Sequence, residues 1–272
     1  MEVWLTLVVG SAVLFATMIG LWWSHGRRGN AGIVDVAWTL GVGSMSLAYC
    51  ATAVHGNLFR RLILAVIVTV WSGRLAWHIW RRVHRMPEDG RYVALKEAWG
   101  DQAPRKMLYF FMFQAIAAVV FSLPMLVAAT NPHEFGLFDT AAIILAIIVL
   151  GGEAVADRQL QEFREQPANR GKACRVGLWR YSRHPNYFFE WLHWFVYVLL
   201  AWTAPYGWVT VLAPLAMLHF VLNVTGVPPT ERQALLSRGE DYRRYQQETS
   251  VFFPWPPRLA KPSVGKQTEN RL

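Results

Sequence analysis

The stretch Arg180-Tyr-Ser-Arg-His-Pro-Asn-Tyr-Phe-Phe-Glu190, followed at once by the apolar run Trp191–Thr203, decides how this chain is read. Ionisable and amide groups crowded against a membrane boundary are costly and mark sites. Arg183 and His184 suit phosphates, Asn186 and Glu190 suit an amide or a ribose, and Pro185 sets the turn into a helix. A simple positively charged membrane flank would need only the arginines. The amide and aromatic groups therefore ask for a ligand.

The rest of the chain fits that reading. It has 272 residues, 54% of them hydrophobic, with a mean hydropathy of +0.21. Those values suit a polytopic membrane protein better than a soluble one. Tryptophan, tyrosine and phenylalanine gather near the ends of apolar runs, as an aromatic belt would place them. The net charge of +9 is spread between apolar runs rather than on one basic domain, so it reports topology and not nucleic-acid binding. Cys50 lies in an apolar run and Cys174 in a basic loop, so no disulfide is expected. No Cys/His set has zinc spacing and no metal is expected. A glycine-rich dinucleotide turn and a P-loop are both missing, so any nucleotide must bind in a helical setting. The N-terminus has no basic region before its apolar run, which reads as a first span rather than a cleaved signal. No internal repeat is evident, which argues against repeat-built transporters.

A span needs about 20 mostly apolar residues. Seven are expected: Val3–Trp23, Ala31–Val54, Leu62–Trp80, Met107–Thr130, Thr140–Val155, Tyr187–Thr203 and Tyr206–Val227. The connectors Ser24–Asn30, Arg81–Lys106, Ala156–Asn186 and Pro228–Leu272 carry 24 of the 27 Lys and Arg residues. The positive-inside rule then puts these connectors and the C-terminus in the cytosol and the N-terminus outside. The expected architecture is all-α, a single seven-helix domain over residues 1–259. Residues 1–130 would form mainly a substrate cavity and 131–259 mainly a cofactor site, with a disordered tail at 260–272.

Several polar groups stand out within or beside the spans. Asp35 lies four residues into the second span, where an acid costs roughly 2.5–3.5 kcal/mol unless it faces protein or water. Desolvation would favour its protonated form, a hydrogen-bond donor. Asn30, Asp35 and Trp38 fall at helical spacing and would present amide, acid and indole on one face. A plainer alternative pairs Asp35 with Arg74 of the third span. Glu153 and Asp157 are spaced i, i+4, with Gln161 and Arg164 continuing the face, and Gly151-Gly152 would let a helix or ligand approach closely. Glu88-Asp-Gly-Arg-Tyr92 reads as a loop in which Gly90 turns tightly and Arg91 beside Tyr92 offers a phosphate fork with a stacking surface. Arg164, Arg170, Lys172, Arg175, Arg180 and Arg183 form a dense basic run that suits either a phosphate or inner-leaflet lipid. Thr230 is placed to cap a short helix carrying Glu231 and Arg232, and further on Tyr242 and Tyr245, spaced i, i+3, would share one face. His219 and Asn223 either line a cofactor cavity or bond between helices.

Taken together, Asp35-x-x-Trp38, Glu88-Asp-x-Arg91-Tyr92, Glu153-x-x-x-Asp157, Gly177-Leu-Trp-x-Tyr-Ser-Arg-His-Pro-Asn-Tyr187 with Glu190, Glu231 with the Tyr242/Tyr245 region, and Phe253-Pro254 resemble the bacterial membrane branch of the steroid 5-alpha-reductase family. The resemblance covers about Gly29 to Pro254. The superfamily also holds sterol reductases and isoprenylcysteine carboxyl methyltransferases. The resemblance implies a seven-span helical fold that takes NADPH from the cytosol. By position, Asp157, Arg164, Lys172, Asn186 and Glu190 would hold the cofactor, joined by Arg91, Arg183, His184 and Tyr187 and closed by Glu231 and Tyr245. Tyr92, Glu153, Asn223 and Tyr242 complete the expected cofactor set. The acid that bonds a substrate ketone in the family maps onto Asp35. Trp38, Trp71 and Arg74 would line the substrate cavity. Trp71 stands where animal members of the family carry a tyrosine, which leaves the proton donor open.

The expected activity is NADPH-dependent reduction of the C=C bond of an enone lipid, such as a 3-oxo-delta4-steroid, at a bacterial inner membrane. Its expected partners are a small hydrophobic substrate and membrane lipid, with no nucleic acid and no obligate protein partner. The alternatives are an S-adenosylmethionine-dependent membrane methyltransferase, or a non-catalytic lipid-binding protein that would not need the Asn186/Glu190 pair.

Overall fold

The computed structural model describes residues 2–258, apart from the side chains of residues 25–28. The tail expected at 260–272 lies outside the described residues. The described chain is helical: α1 (Val3–Arg28), α2 (Ile33–Thr52), α3 (Leu58–Arg85), α4 (Gly90–Trp99), α5 (Ala103–Thr130), α6 (Leu137–Glu165), α7 (Pro185–Ala201), α8 (Leu212–Asn223) and α9 (Val227–Glu248). Among the described residues, six stretches are long and apolar enough to cross a membrane: Val3–Ser24, Ile33–Thr52, Leu58–Arg85, Gly90–Thr130, Leu137–Glu165 and Gly207–Glu248. The chain is a multi-pass membrane protein. Helix α7, with 17 residues, falls just under the length of the other candidates.

The helix ends follow local chemistry. Asn57 caps α3 by accepting the Arg60 N–H at 3.2 Å. Met86, extended before Pro87, ends the same helix. Asp89 caps α4 by accepting the Arg91 N–H at 3.0 Å. The segment Glu88–Tyr92 is therefore a helix start rather than a loop, and Gly90 is its first residue, not a tight turn. Helix α9 begins at Val227, so Thr230 lies inside its first turn and caps nothing. Pro228 and Pro229 lack the N–H groups that a cap would satisfy, and their fixed φ starts the helix by itself.

The chain forms two compact units. The first comprises Met1–Gly151 and Glu190–Phe220, the second Gly152–Phe189 and Val221–Leu272. In the first, α2 packs against α1, α3 and α5. Its interior holds Tyr49, Leu64, Trp71, Phe111, Met125, Trp194 and Tyr197, all fully buried. Trp4, Val8, Phe59, Ile147 and Leu212 point outward, as lipid-facing residues do. One end of this unit is pinned by Arg60, only 1% exposed. It donates from Nε and Nη2 to both oxygens of Asp139 at 2.6 and 2.8 Å. Its remaining N–H groups go to the carbonyls of Asn131, His133 and Glu134. The Asn131 amide in turn donates to Leu200 O and Thr203.

In the second unit, a short 3-10 turn at Gly177–Arg180 lies on α6. Gln159 accepts the Leu178 N–H, the Trp179 indole donates to Ala156 O, and a side chain at Gly177 would strike Gln159. Gly152 is in contact with the Phe189 ring, so its bare face is used for packing. The segment after α9 returns to the motif: Arg183 N donates to Ser250 O at 2.8 Å, Ser182 Oγ to Phe252 O at 2.7 Å and Trp255 N to Tyr181 O at 3.0 Å.

Candidate functional site

In the first unit, the cap at Asp89 sets the position of the next residues. Its carboxylate also accepts from the Arg91 guanidinium at 3.1 Å. Arg91 Nη2 reaches on to Asp35 Oδ2 at 3.2 Å, and the Tyr92 hydroxyl donates to Asp35 Oδ1 at 2.7 Å. Arg82 stands 3.4 Å from Asp89 and 3.9 Å from Asp35. Burial alone would raise Asp89, but the hydrogen bonds and charge of Arg91, with Arg82 beyond, hold its carboxyl below the usual range. Nearby, Glu88 pairs with Lys96 at 2.8 Å and accepts the Ala31 N–H.

This geometry changes three expectations. Both Asp35 oxygens accept hydrogen bonds, from Arg91 and from Tyr92, where a hydrogen-bond donor was expected. Among the described residues, Asp35 pairs with Arg91, Tyr92 and Arg82, not with Arg74. α4 supplies Arg91 and Tyr92, which a loop reading did not bring alongside α2. Asn30 precedes α2 and does not join Asp35 on a face; its amide bonds Val83 O and the Gly32 N–H.

Trp38 and Trp71 come together in an aromatic group in the same unit. Trp38 meets Trp71 edge-on at 6.4 Å and Phe121 at 5.9 Å. The Trp71 indole donates to the Glu190 carboxylate at 3.0 and 3.3 Å. His193 stacks on Trp71 at 5.3 Å and shares a 2.6 Å hydrogen bond with the Tyr197 hydroxyl. Sequence reading missed His193, Trp194 and Tyr197, which sit inside an apolar run. The spacing Glu190, His193, Tyr197, one helical face of α7, was the signal that marked them.

The second unit gathers most of the other expected residues. The Asn186 amide donates to Asp157 Oδ1 at 3.2 Å, and its oxygen accepts the Tyr187 N–H at 3.0 Å. The Tyr187 hydroxyl and Thr230 share a 3.1 Å hydrogen bond. The Tyr187 ring lies parallel to His184 at 5.3 Å. Glu231 is the hub. It accepts from Arg183 at 2.6 Å, from Gln246 at 2.7 Å and from Tyr242 at 3.4 Å, and it lies 3.3 Å from His184. Arg183 Nη1 donates to Gln246 O and Thr249 O. Burial pushes the His184 imidazole below its ordinary value; Glu231 opposes that shift without cancelling it, and Arg183 adds to it. Tyr245 is buried, and its hydroxyl donates to the main-chain oxygens of Trp179 and Ser182. Glu153 is also buried, and Asn223 is exposed at the end of α8.

Arg164 and Lys172 line a cleft of about 500 Å³ with Arg170 and Arg238, over Cys174. Burial pushes the Cys174 thiol up, opposed by the Val176 main chain and by the charges of Arg164 and Arg238. Gln159, Gln246 and Arg238 had no place in the expected site. They lie outside the motif, and no spacing pointed to them. No group of three or more His, Cys, Asp or Glu among the described residues is arranged to hold a metal.

The chain is 26% identical over 276 residues to a Schizosaccharomyces pombe protein named Uncharacterized protein C594.04c, covering 91% of this chain and 79% of that one. No solved structure matches it. A family model does match, over residues 21–249, nearly all of the helical chain and every site residue described above, so the chain belongs to the family described as Protein of unknown function (DUF1295).

Proposed function

We propose that this protein is a membrane-embedded, NADPH-dependent reductase of the C=C bond of an enone lipid, of the 3-oxo-delta4-steroid type. The proposal includes α7 as a seventh span, an outside N-terminus and a second unit facing the cytosol of a bacterial inner membrane. The observation that carries it is the hydrogen-bonded set Asp157, Arg183, His184, Asn186, Tyr187 and Glu231. Three distant helices, α6, α7 and α9, bring it together in one unit. A purely structural flank would not need an amide–carboxylate pair beside a cation cluster.

The residues fit the cofactor by their chemistry. Asp157 and Asn186 offer an acceptor and donors for a ribose or carboxamide. Arg164 and Lys172 offer cations for a phosphate. NADPH, when bound, supplies a hydride for the β-carbon of the enone. As that carbon is reduced, the electron pair of the double bond moves onto the carbonyl oxygen. The Tyr92 hydroxyl, which donates to Asp35 in this structure, is the donor we assign to that oxygen once it turns from Asp35 to the ketone, and such a donor is worth about 3–4 kcal/mol in comparable sites. Asp35 is thus a positioning acid, and Arg91, fixed by Asp89, keeps it in place. A proton delivered from water to the α-carbon completes the saturated ketone. The rings of Trp38, Trp71 and Phe121 give the first unit a flat apolar surface for such a lipid.

Thermal unfolding of the purified protein with NADPH, NADH or S-adenosylmethionine tests the reading. A ligand at 100 times its dissociation constant adds about 2.7 kcal/mol. Stabilisation by NADPH, with NADPH oxidation on adding an enone lipid, is the expected result. Stabilisation by S-adenosylmethionine alone would replace the reductase by a methyltransferase, and no response to any of the three would leave a lipid-binding protein.

A further inference from the structure

The basic residues of the second unit fall into two groups. Arg175 and Arg183 are neutralised inside the fold: Arg175 by Asp241 and Glu248, Arg183 by Glu231. Arg170, Lys172 and Arg238 have no ion pair among the described residues, yet all three line one concave cleft together with Arg164. Among the described residues, the only acid on its wall is Glu165, whose carboxylate already accepts from Gln161 at 2.8 Å.

The fold brings these cations together. α6 ends at Glu165, and the short turn Pro167–Asn169 is closed by the Asn169 amide on Phe163 O. Gly171, in the left-handed region at φ 76°, turns the chain between Arg170 and Lys172. From the other side, Arg238 directly precedes Gly239, whose φ of 52° breaks α9. Asp241 then clamps this arm to the turn by accepting from Ala173 N and from Arg175. Helix C-termini attract cations, and one or two would serve α6. Four around a cavity, three of them uncompensated, exceed that need and repel one another unless an anion sits among them.

We infer that this cleft is a phosphate-monoester site in which Arg238 and Lys172 grip the anion from opposite arms, with Arg170 and Arg164 beside them. A monoester offers three acceptor oxygens and up to two charges, which match several convergent cations better than a single carboxylate does. Two sources carry this chemistry, the 2′-phosphate of a dinucleotide and the headgroup of an inner-leaflet phosphatidic acid. The first rests on the cofactor reading above; the second does not.

The experiment measures binding of adenosine 2′,5′-bisphosphate and adenosine 5′-monophosphate to the full chain in phosphatidylcholine nanodiscs. It also measures its retention of phosphatidic acid. Each is compared for wild type, Arg238→Gln, Lys172→Gln and Arg170→Gln. The bisphosphate should bind about tenfold more weakly to Arg238→Gln and Lys172→Gln, with 5′-monophosphate binding unchanged and the loss growing at low salt. If the bisphosphate does not bind but phosphatidic acid does, and the same variants release it, the site stands and the dinucleotide reading falls. If the bisphosphate binds equally to all variants, the dinucleotide reading stands and the cleft is not its phosphate site; the inference then survives as a lipid phosphate site where phosphatidic acid retention falls in those variants, and is overturned where it does not. If neither phosphate probe responds to any variant, the inference is overturned. Arg170→Gln, on the separate turn, keeps the test informative should the Arg238 variant fail to fold.

Discussion

Two arginine–aspartate pairs in the first unit, Arg60–Asp139 and Arg91–Asp35, look alike on paper and differ in kind. Arg60 and Asp139 are 1% and 4% exposed, and every donor of the guanidinium is spent on protein. Arg91 and Asp35 are 27% and 19% exposed, and the acid also holds a tyrosine hydroxyl. The first pair is closed and fastens a helix end. The second is open at one side and keeps a proton-bearing group in place. The difference teaches that saturation, not the presence of a buried charge, separates a pin from a site.

The sharpest way to break the comparison is to remove each arginine. Arg60→Ala should lose about 3–5 kcal/mol, because Asp139 is left buried and unpaired, and thermal unfolding in detergent reads it. If Arg60→Ala unfolds like wild type, the pin is no pin. Next, Tyr92→Phe should cut enone reduction about 10²–10³-fold with little change in NADPH binding. Asp35→Ala should do the same, and retention of full turnover in both would remove the first unit's pair from the chemistry. Asn186→Ala should instead weaken NADPH binding, seen as loss of its thermal shift. A smaller effect comes from His184. Its folded value lies below the unfolded one, so its contribution to stability is complete above about pH 6.5 and declines as pH falls toward the folded value. The melting temperature should drop over that window, and His184→Gln should flatten the drop. Smallest of all, Thr230→Val should cost about 0.5–1.5 kcal/mol through the lost Tyr187 hydrogen bond.

The helices were legible because apolar runs of span length have few other uses. Their ends were less so: α3 runs from Leu58 to Arg85, past the expected Leu62–Trp80, because backbone bonding continues after the apolar face ends. α4 was hidden, since ten residues without a strong apolar stripe do not announce a helix, and Asp89 reads equally as a turn or a cap. In the second unit, the motif residues that meet one another, Arg183 to Tyr187, were readable together because they are adjacent in sequence. Their partners Gln246, Thr249 and Ser250 were not, because they contribute mostly main-chain oxygens, which carry no side-chain signature. Asp35 was found as an isolated acid, but its partners depended on a helix that had not been seen.

The return of the chain after α9 has a consequence for the order of synthesis. Ser182 and Arg183 find their acceptors in Thr249, Ser250 and Phe252, so they emerge from the ribosome long before the groups that satisfy them. Until then the Arg183 guanidinium has Glu231 as its partner but lacks its acceptor at Thr249. The second unit is therefore closed by the segment after α9, and a nascent chain halted before residue 249 should already hold the motif and Glu231 while lacking the 249–252 strap that fastens them.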